Sequence, residues 1–149
     1  MNSKYIVNVE AAIYKEDKWL LVKRSKKEEH APGAISLVGG KVEVNEALPN
    51  ILEETLKREI MEEVGIEVYD DIQYVESKSF FTDKGEPVVD IVFLCRYKSG
   101  KPHCVNKDEV AEVFWLAAQE ILEDVNTPIW VKQSLRIAEK MRLNLNEMW

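Results

Sequence analysis

Over residues 5–13 apolar and polar positions alternate. Val7, Val9, Ala11 and Ile13 fall on one side of an extended segment, the period-two pattern of a half-buried strand. Lys15-Glu16-Asp17-Lys18 predicts a turn into a second apolar run, Trp19-Leu20-Leu21-Val22, which ends at Arg24, so the chain opens as a hairpin. His30-Ala31-Pro32-Gly33-Ala34 reads as a loop ahead of Ile35-Ser36-Leu37-Val38 and a Gly39-Gly40 turn. From about Ile51 the period becomes helical: Leu52, Leu56, Ile60 and Val64 form an apolar stripe, and Gly65 stands where a helix C-terminus favours a left-handed residue. Pro49 and Asn50 lie just before it, with Asn50 the expected N-cap. Residues 70–81 and 88–97 read as two longer strands joined by Thr82-Asp83-Lys84-Gly85-Glu86-Pro87, with Tyr74, Phe80 and Phe81 expected in the core. A strand carrying Val110, Glu112 and Phe114 follows, with Glu112 facing solvent, then a short helix near 119–122. Thr127 as N-cap and Pro128 at the first helical position open a last helix whose apolar positions include Ile129, Leu135, Ala138 and Met141.

This order of elements is compatible with an α/β fold, and 149 residues with 46% hydrophobic side chains suffice for one globular domain over 1–149. No run of 18 apolar residues, signal segment or lipidation motif is visible, so the expected setting is the cytoplasm and no membrane is implied. Cys95 and Cys104 stand nine apart with only His30 and His103 to assist, which argues against zinc; Cys95 reads as a buried strand residue. A net charge of -7 argues against nucleic acid as a partner, because such binding needs Lys and Arg to neutralise many phosphates. A small polyphosphate carried in with a cation is less affected.

Charge on the helix near 51–64 changes the picture further. In its first half Glu53 with Lys57 and Glu54 with Arg58 stand at the favourable i,i+4 spacing. In its second half Glu59, Glu62 and Glu63 occupy i, i+3 and i+4, where each like-charge pair costs roughly 0.2–0.5 kcal/mol and the helix dipole also disfavours acids. Arg58 can answer Glu62, but one guanidinium cannot neutralise three carboxylates. A divalent cation can. Magnesium or manganese takes oxygen ligands and shares its coordination sphere with substrate phosphates.

The stretch Gly40-Lys41-Val42-Glu43-Val44-Asn45-Glu46, followed after eleven residues by Arg58-Glu59-Ile60-Met61-Glu62-Glu63-Val64-Gly65-Ile66, resembles the Nudix box, G-x5-E-x7-R-E-U-x-E-E-x-G-U with U aliphatic. The back half fits at every position. The front carries four extra residues, placed before or at the start of the helix, which leaves the metal-binding half intact and puts the role of Glu46 as a helper of the box arginine in question. The resemblance implies a Nudix fold, a mixed β-sheet sandwiched between α-helices, and Mg²⁺- or Mn²⁺-dependent hydrolysis of a phosphoanhydride in a nucleoside diphosphate linked to X. In style it is nearest to MutT-like nucleoside triphosphate hydrolases. By the same resemblance Gly39, through its carbonyl, and Glu59, Glu62 and Glu63 would hold metal, and Arg58 would orient the glutamates. Glu59 or Glu109 would be the general base, with Glu109 at the family's spacing before Trp115 and preferred over Glu112; Arg24 and Lys41 would meet phosphates. Asn126, in an Asn-x-Pro start like that of the oxidised-guanine-nucleotide hydrolases of this family, would either read a purine or serve helix capping alone. The implied partner is a small-molecule nucleotide, in this case a nucleoside triphosphate or oxidised purine nucleotide, and the protein would be a monomer or homodimer. A non-catalytic Nudix-fold nucleotide sensor is the competing class, disfavoured by the complete glutamate set.

Overall fold

A computed structural model of the chain describes residues 4–28 and 31–147; His30, at the head of the expected loop, lies outside them. Among the described residues the order is β1 (Ile6–Lys15), β2 (Lys18–Arg24), β3 (Ile35–Ser36), β4 (Val38–Lys41), α1 (Ile51–Val64), β5 (Glu67–Val68), β6 (Gln73–Phe81), β7 (Pro87–Ser99), β8 (Val110–Ala117), α2 (Ala118–Glu123) and α3 (Ile129–Glu147).

The sheet is mixed and built around β1. β1 runs parallel to β7, with Ile6 opposite Val88 and Tyr14 opposite Arg96. Its other edge changes partner along its length: Asn8 to Ala11 pair antiparallel with β4, while Tyr14 and Lys15 pair with the start of β2. β2 continues outward to β3 and β8. The sheet therefore forks, with β4 on one branch and the end of β2 on the other. α1 covers one face, where Leu56, Ile60 and Val64 are fully buried against Val9, Ala11, Ile13, Leu20 and Val22. Each such side chain contributes about 1.5–3 kcal/mol relative to exposure. The opposite face carries Ala12, Trp19, Leu21, Val92 and Leu94 under α2 and α3, with Ile121, Val131, Leu135 and Ala138 closing it. A mixed sheet between helices is thus the architecture, as the resemblance implies.

Several local expectations change. Asn50 stands at the N-cap of α1 but in the left-handed region at φ 54°, and its side chain bonds no helix amide. Lys57 pairs with Glu54 and, at 2.6 Å, with Asp70 instead of Glu53, and Arg58 turns away from Glu54. Ile129 is exposed and Val131 takes its place in the core, because α3 begins with its first residue rotated to solvent. The Thr127 hydroxyl donates to Asp124 at 2.9 Å and so ties the turn before α3 rather than the first helical amides. Tyr74 and Phe81 are exposed, since β6 pairs only with β7 and is an edge strand. Cys95 is fully buried in β7, as its strand setting predicts.

Candidate active site

The site begins with how α1 is held. Gly65 adopts φ 70° and donates to the carbonyls of Ile60 and Met61, the left-handed closure that glycine permits without steric cost. Two further terminal carbonyls are taken by the strand-like segment after β7: His103 N–H bonds Val64 and Val105 N–H bonds Glu63, at 3.1 and 3.2 Å. With its end tied and its apolar stripe buried, the helix has one rotational setting. That setting points Glu59 and Glu63 at Gly39 and Gly40, which lie within the paired strand β4 and not in the turn expected from the sequence.

Both glycines are required there for different reasons. A Cβ on Gly39 would stand 2.1 Å from the Val9 carbonyl oxygen, so β1 and β4 can approach only without one. A Cβ on Gly40 would stand 2.4 Å from the carboxyl carbon of Glu59 and about as close to its oxygens, so Gly40 is the cradle in which that carboxylate lies. Gly39 faces Glu10 between the hydrogen-bonded positions of the β1–β4 ladder, as the Val42 N–H bond to Val7 sets the alternation. Its N–H and C=O are therefore turned away from β1. The Gly39 N–H donates to Glu63, which places the glycine carbonyl on the same side.

The electrostatics of this cluster are unfavourable without a counter-charge. Burial pushes the Glu63 carboxyl up to about 8, the Glu59 and Glu109 charges add to the rise, and Arg24 and the Gly39 N–H oppose it. Glu59 is also raised, by burial first; Arg58 opposes, and the charges of Glu62 and Glu109 reinforce the rise. Arg58 lies 3.2 Å from Glu59 and 3.1 Å from the exposed Glu62, so one guanidinium is shared between two of the three helix carboxylates. Glu43, in the loop after β4, is the further acid whose charge acts on Arg58. Glu109 is exposed at the head of β8, on a loop tied to β2 by the Ser25 N–H bond to its carbonyl at 3.0 Å. Among the described residues no three carboxylate, histidine or cysteine side chains converge closely enough to hold an ion as they stand. Glu59 and Glu63 are hard oxygen donors of the type that Mg²⁺ or Mn²⁺ takes.

The structure thus gathers Glu59, Glu63, Arg58, Glu62, Gly39, Gly40, Glu109 and Arg24 at one end of the sheet. Arg24 is half-buried, 3.4 Å from Glu28, and its charge reaches Glu63. Two sequence candidates lie elsewhere. Lys41 is exposed and pairs opposite Asn8, on the face away from α1. Asn126 lines a cavity of about 450 Å³ with Lys23, Gly33, Ile35, Glu112, Phe114 and Asp124. A second cavity, about 380 Å³, runs along α1 between Lys57, Arg58 and Lys98 and touches none of Glu59, Glu63 and Glu109. The four inserted residues lie in the loop before Ile51, so they lengthen the approach to α1 and leave its glutamates in phase.

The NUDIX domain profile matches residues 4–135. The chain belongs to the Nudix hydrolase family. The uncharacterized Nudix hydrolase YfcD of Escherichia coli K12 is 32% identical over 130 residues, covering 80% of this chain and 67% of that protein. The MutT NUDIX hydrolase from Burkholderia pseudomallei superposes with a TM-score of 0.74 at 29% identity, covering 91% of this chain and 98% of its own. The MutT protein from Methanosarcina mazei Go1 superposes with a TM-score of 0.76 at 25% identity, covering 95% and 98%. The chain is accordingly a Nudix-type pyrophosphohydrolase. Nudix enzymes use divalent cations and act on small nucleotide substrates. No helix among the described residues is long and apolar enough to cross a membrane.

Sequence reasoning passed over Glu43, Lys23, Phe114 and the pair Glu10–Asp90. Only Glu10 left a signal, as an acid in the middle of an apolar strand.

Proposed function

We propose that this Nudix hydrolase cleaves a nucleoside triphosphate or oxidised purine nucleotide, with Mg²⁺ or Mn²⁺, to a nucleoside monophosphate and pyrophosphate. The observation that carries the reading is the buried repulsion between Glu59 and Glu63 beside Gly39 and Gly40, an arrangement that costs folding free energy and gains from a divalent cation.

In this reading Glu59, Glu62, Glu63 and the Gly39 carbonyl hold the metal. When bound, the cation neutralises charge on phosphoryl oxygens and acidifies a water molecule. Arg58 fixes Glu59 and Glu62 by its shared guanidinium. Arg24 meets the phosphates beside Glu63. Water attacks phosphorus in line, the bond to the bridging oxygen breaks, and pyrophosphate leaves with the electron pair. The proton released from water passes to Glu109, the exposed carboxylate contributed from outside α1, while Glu59 stays engaged with Arg58. The chain acts as a soluble cytoplasmic enzyme, monomer or homodimer, on free nucleotides and not on nucleic acid.

Incubation with Mg²⁺ and a panel of nucleoside triphosphates, oxidised purine triphosphates, ADP-ribose and dinucleoside polyphosphates, with products separated by chromatography, tests the reading. Monophosphate release that stops on chelation, greatest for a triphosphate, is the expected result. Binding across the panel without cleavage would point to a sensor, and preference for ADP-ribose or a dinucleoside polyphosphate would move the substrate class.

A further inference from the structure

The sheet leaves one long strand with a single partner. Among the described residues β6 pairs with β7 along one edge and with no strand along the other, so alternate backbone N–H and C=O groups on that second edge face outward. Open edges of this length are ordinarily guarded by charge or proline. Here the guard is missing. Tyr74, Ser77, Ser79 and Phe81 lie on the α1-side face, opposite Phe93, Ile91, Val89 and Pro87, and none of them is charged. Tyr74 is 58% exposed and Phe81 73%, near the two ends of the strand. The charges of β6, Glu76 and Lys78, turn to the α3 side: the Ser134 hydroxyl donates to Glu76 at 2.6 Å, and Lys78 donates to that hydroxyl and to the Trp130 carbonyl. α3 extends the same surface. Trp130 and Ile137 stand four before and three after Ser134, on one side of the helix, and both are exposed. Apolar groups therefore line the open edge on both faces of the sheet.

A second copy of this chain fits that edge, and the charges select its register. When a strand pairs antiparallel with its own copy about a two-fold axis normal to the sheet, each residue meets one from the same face, so the axis passes through a residue. An axis at Glu76 sets glutamate on glutamate, and one at Lys78 sets lysine on lysine; like charges directly opposite are destabilising. Val75 lies in the bulge, and an axis at Ser79 leaves Tyr74 beyond the paired stretch with Lys78 opposite Phe80. An axis at Ser77 sets Glu76 opposite Lys78 on both sides of it. It also brings Phe81 of one copy opposite residue 73 of the other. Tyr74 is adjacent there, because the bulge between Tyr74 and Glu76 keeps it on the Ser77 face, with its hydroxyl 3.0 Å from Ser77 Oγ. The two exposed aromatics then cover each other at both ends of the ladder.

We infer that the protein forms an isologous homodimer by antiparallel pairing of β6 about Ser77, which continues the sheet from one copy into the next. The paired stretch is short, so the dimer is reversible and dissociates in the micromolar range.

Sedimentation of the intact protein over about 1–300 µM, beside oxidative cross-linking, tests the assignment. Wild type passes from monomer to dimer over that range. Ser77→Lys opposes two ammonium groups at the axis and stays monomeric throughout, with an unchanged melting temperature because Ser77 is exposed. Opposed Cα atoms across a strand pair lie about 4.5–5.5 Å apart, within disulfide reach, whereas the two copies of residue 79 stand roughly 14 Å apart in this register. Mild oxidation with diamide therefore links Ser77→Cys chains about tenfold faster than Ser79→Cys chains, above the wild-type background set by Cys95 and Cys104. A wild type that stays monomeric, a dimer that Ser77→Lys leaves intact, or linkage as fast at residue 79 as at residue 77 would overturn the assignment.

Discussion

Two pairs of crowded carboxylates sit on opposite faces of the same sheet, and the protein treats them differently. Glu10 on β1 lies against Asp90 on β7, which is fully buried. Asp90 Oδ1 accepts from Asn8 Nδ2 at 2.7 Å, and its other oxygen has no nitrogen or hydroxyl donor. Burial, followed by the hydrogen bond and charge of Asp90, holds the Glu10 carboxyl well above the usual carboxylate range, with Lys78 and Arg24 opposing. That direction favours a protonated Glu10, whose hydroxyl donates to Asp90 and satisfies the pair from within. Glu59 and Glu63 have no comparable solution. Arg58 is shared with Glu62, and the Gly39 N–H and the charge of Arg24 offset only part of the cost at Glu63. A closed pair needs nothing further, whereas the open pair retains a demand that a cation would meet.

The largest break in this contrast comes from Glu63→Gln. On the proposed function Glu63 holds the metal, and its loss should lower turnover beyond the roughly 10–100-fold that loss of an outer partner costs a metal site. Stability should move the other way. The folded-state value for Glu63 is about 8 against an ordinary 4.5, so the folded protein binds a proton that the unfolded chain has released between those values. In chelator, wild-type stability therefore falls as pH rises from about 4.5 to 8, by on the order of a few kcal/mol, and the Gln variant removes that slope. Denaturant melts at pH 5 and pH 8, with and without Mg²⁺, check it: Mg²⁺ should raise the wild-type midpoint most at pH 8 and leave Glu63→Gln nearly unmoved. Equal slopes in the two proteins would mean that Glu63 is not the strained acid.

Gly39 and Gly40 separate scaffold from site at adjacent positions. Gly39→Ala sets a Cβ against the backbone of Val9 and Glu10, which cannot yield without parting β1 from β4. It should cost about 3 kcal/mol or more, the upper end for overpacking. Gly40→Ala meets only the end of the Glu59 side chain, which can move. That variant should melt within about 1 kcal/mol of wild type while activity falls roughly 10–100-fold, as for a disturbed metal ligand. Thermal melts beside rate measurements decide, and full activity in Gly40→Ala would remove Glu59 from its cradle.

This asymmetry also explains what was legible in the sequence. Glu59, Glu62, Glu63, the apolar stripe and Gly65 share one helix, where spacing alone fixes which side chains meet, and α1 spans the residues that periodicity suggests. The cavity that Asn126 lines draws on β2, β3, β8 and the turn before α3. Its members become neighbours only after Lys23 pairs with Glu112, and no local pattern encodes that register. Glu10 is visible as a misplaced acid, but its partner Asp90 lies 80 residues away. Thr127 and Ile129 mislead for a simpler reason: Asp124 competes for the hydroxyl, and α3 starts with Ile129 turned outward.

The smallest effect belongs to the closed pair. Glu10→Gln replaces a carboxyl O–H with an amide N–H₂ of similar size, which still donates to Asp90, so stability at pH 7 should change by about 1 kcal/mol or less. Glu10→Ala leaves the second Asp90 oxygen buried without a donor and should cost about 1–3 kcal/mol. The difference between these variants, and not either alone, reads the proton. The pH slope sharpens it. Because the folded-state value of Glu10 is raised, its contribution is full below about 4.5 and is lost as pH climbs toward that higher value; Glu10→Gln should lack this loss. Chemical denaturation from pH 5 to 9 measures both. If Gln and Ala are equally destabilising, Glu10 does not donate to Asp90, the second pair is as open as the first, and the contrast between the two faces fails.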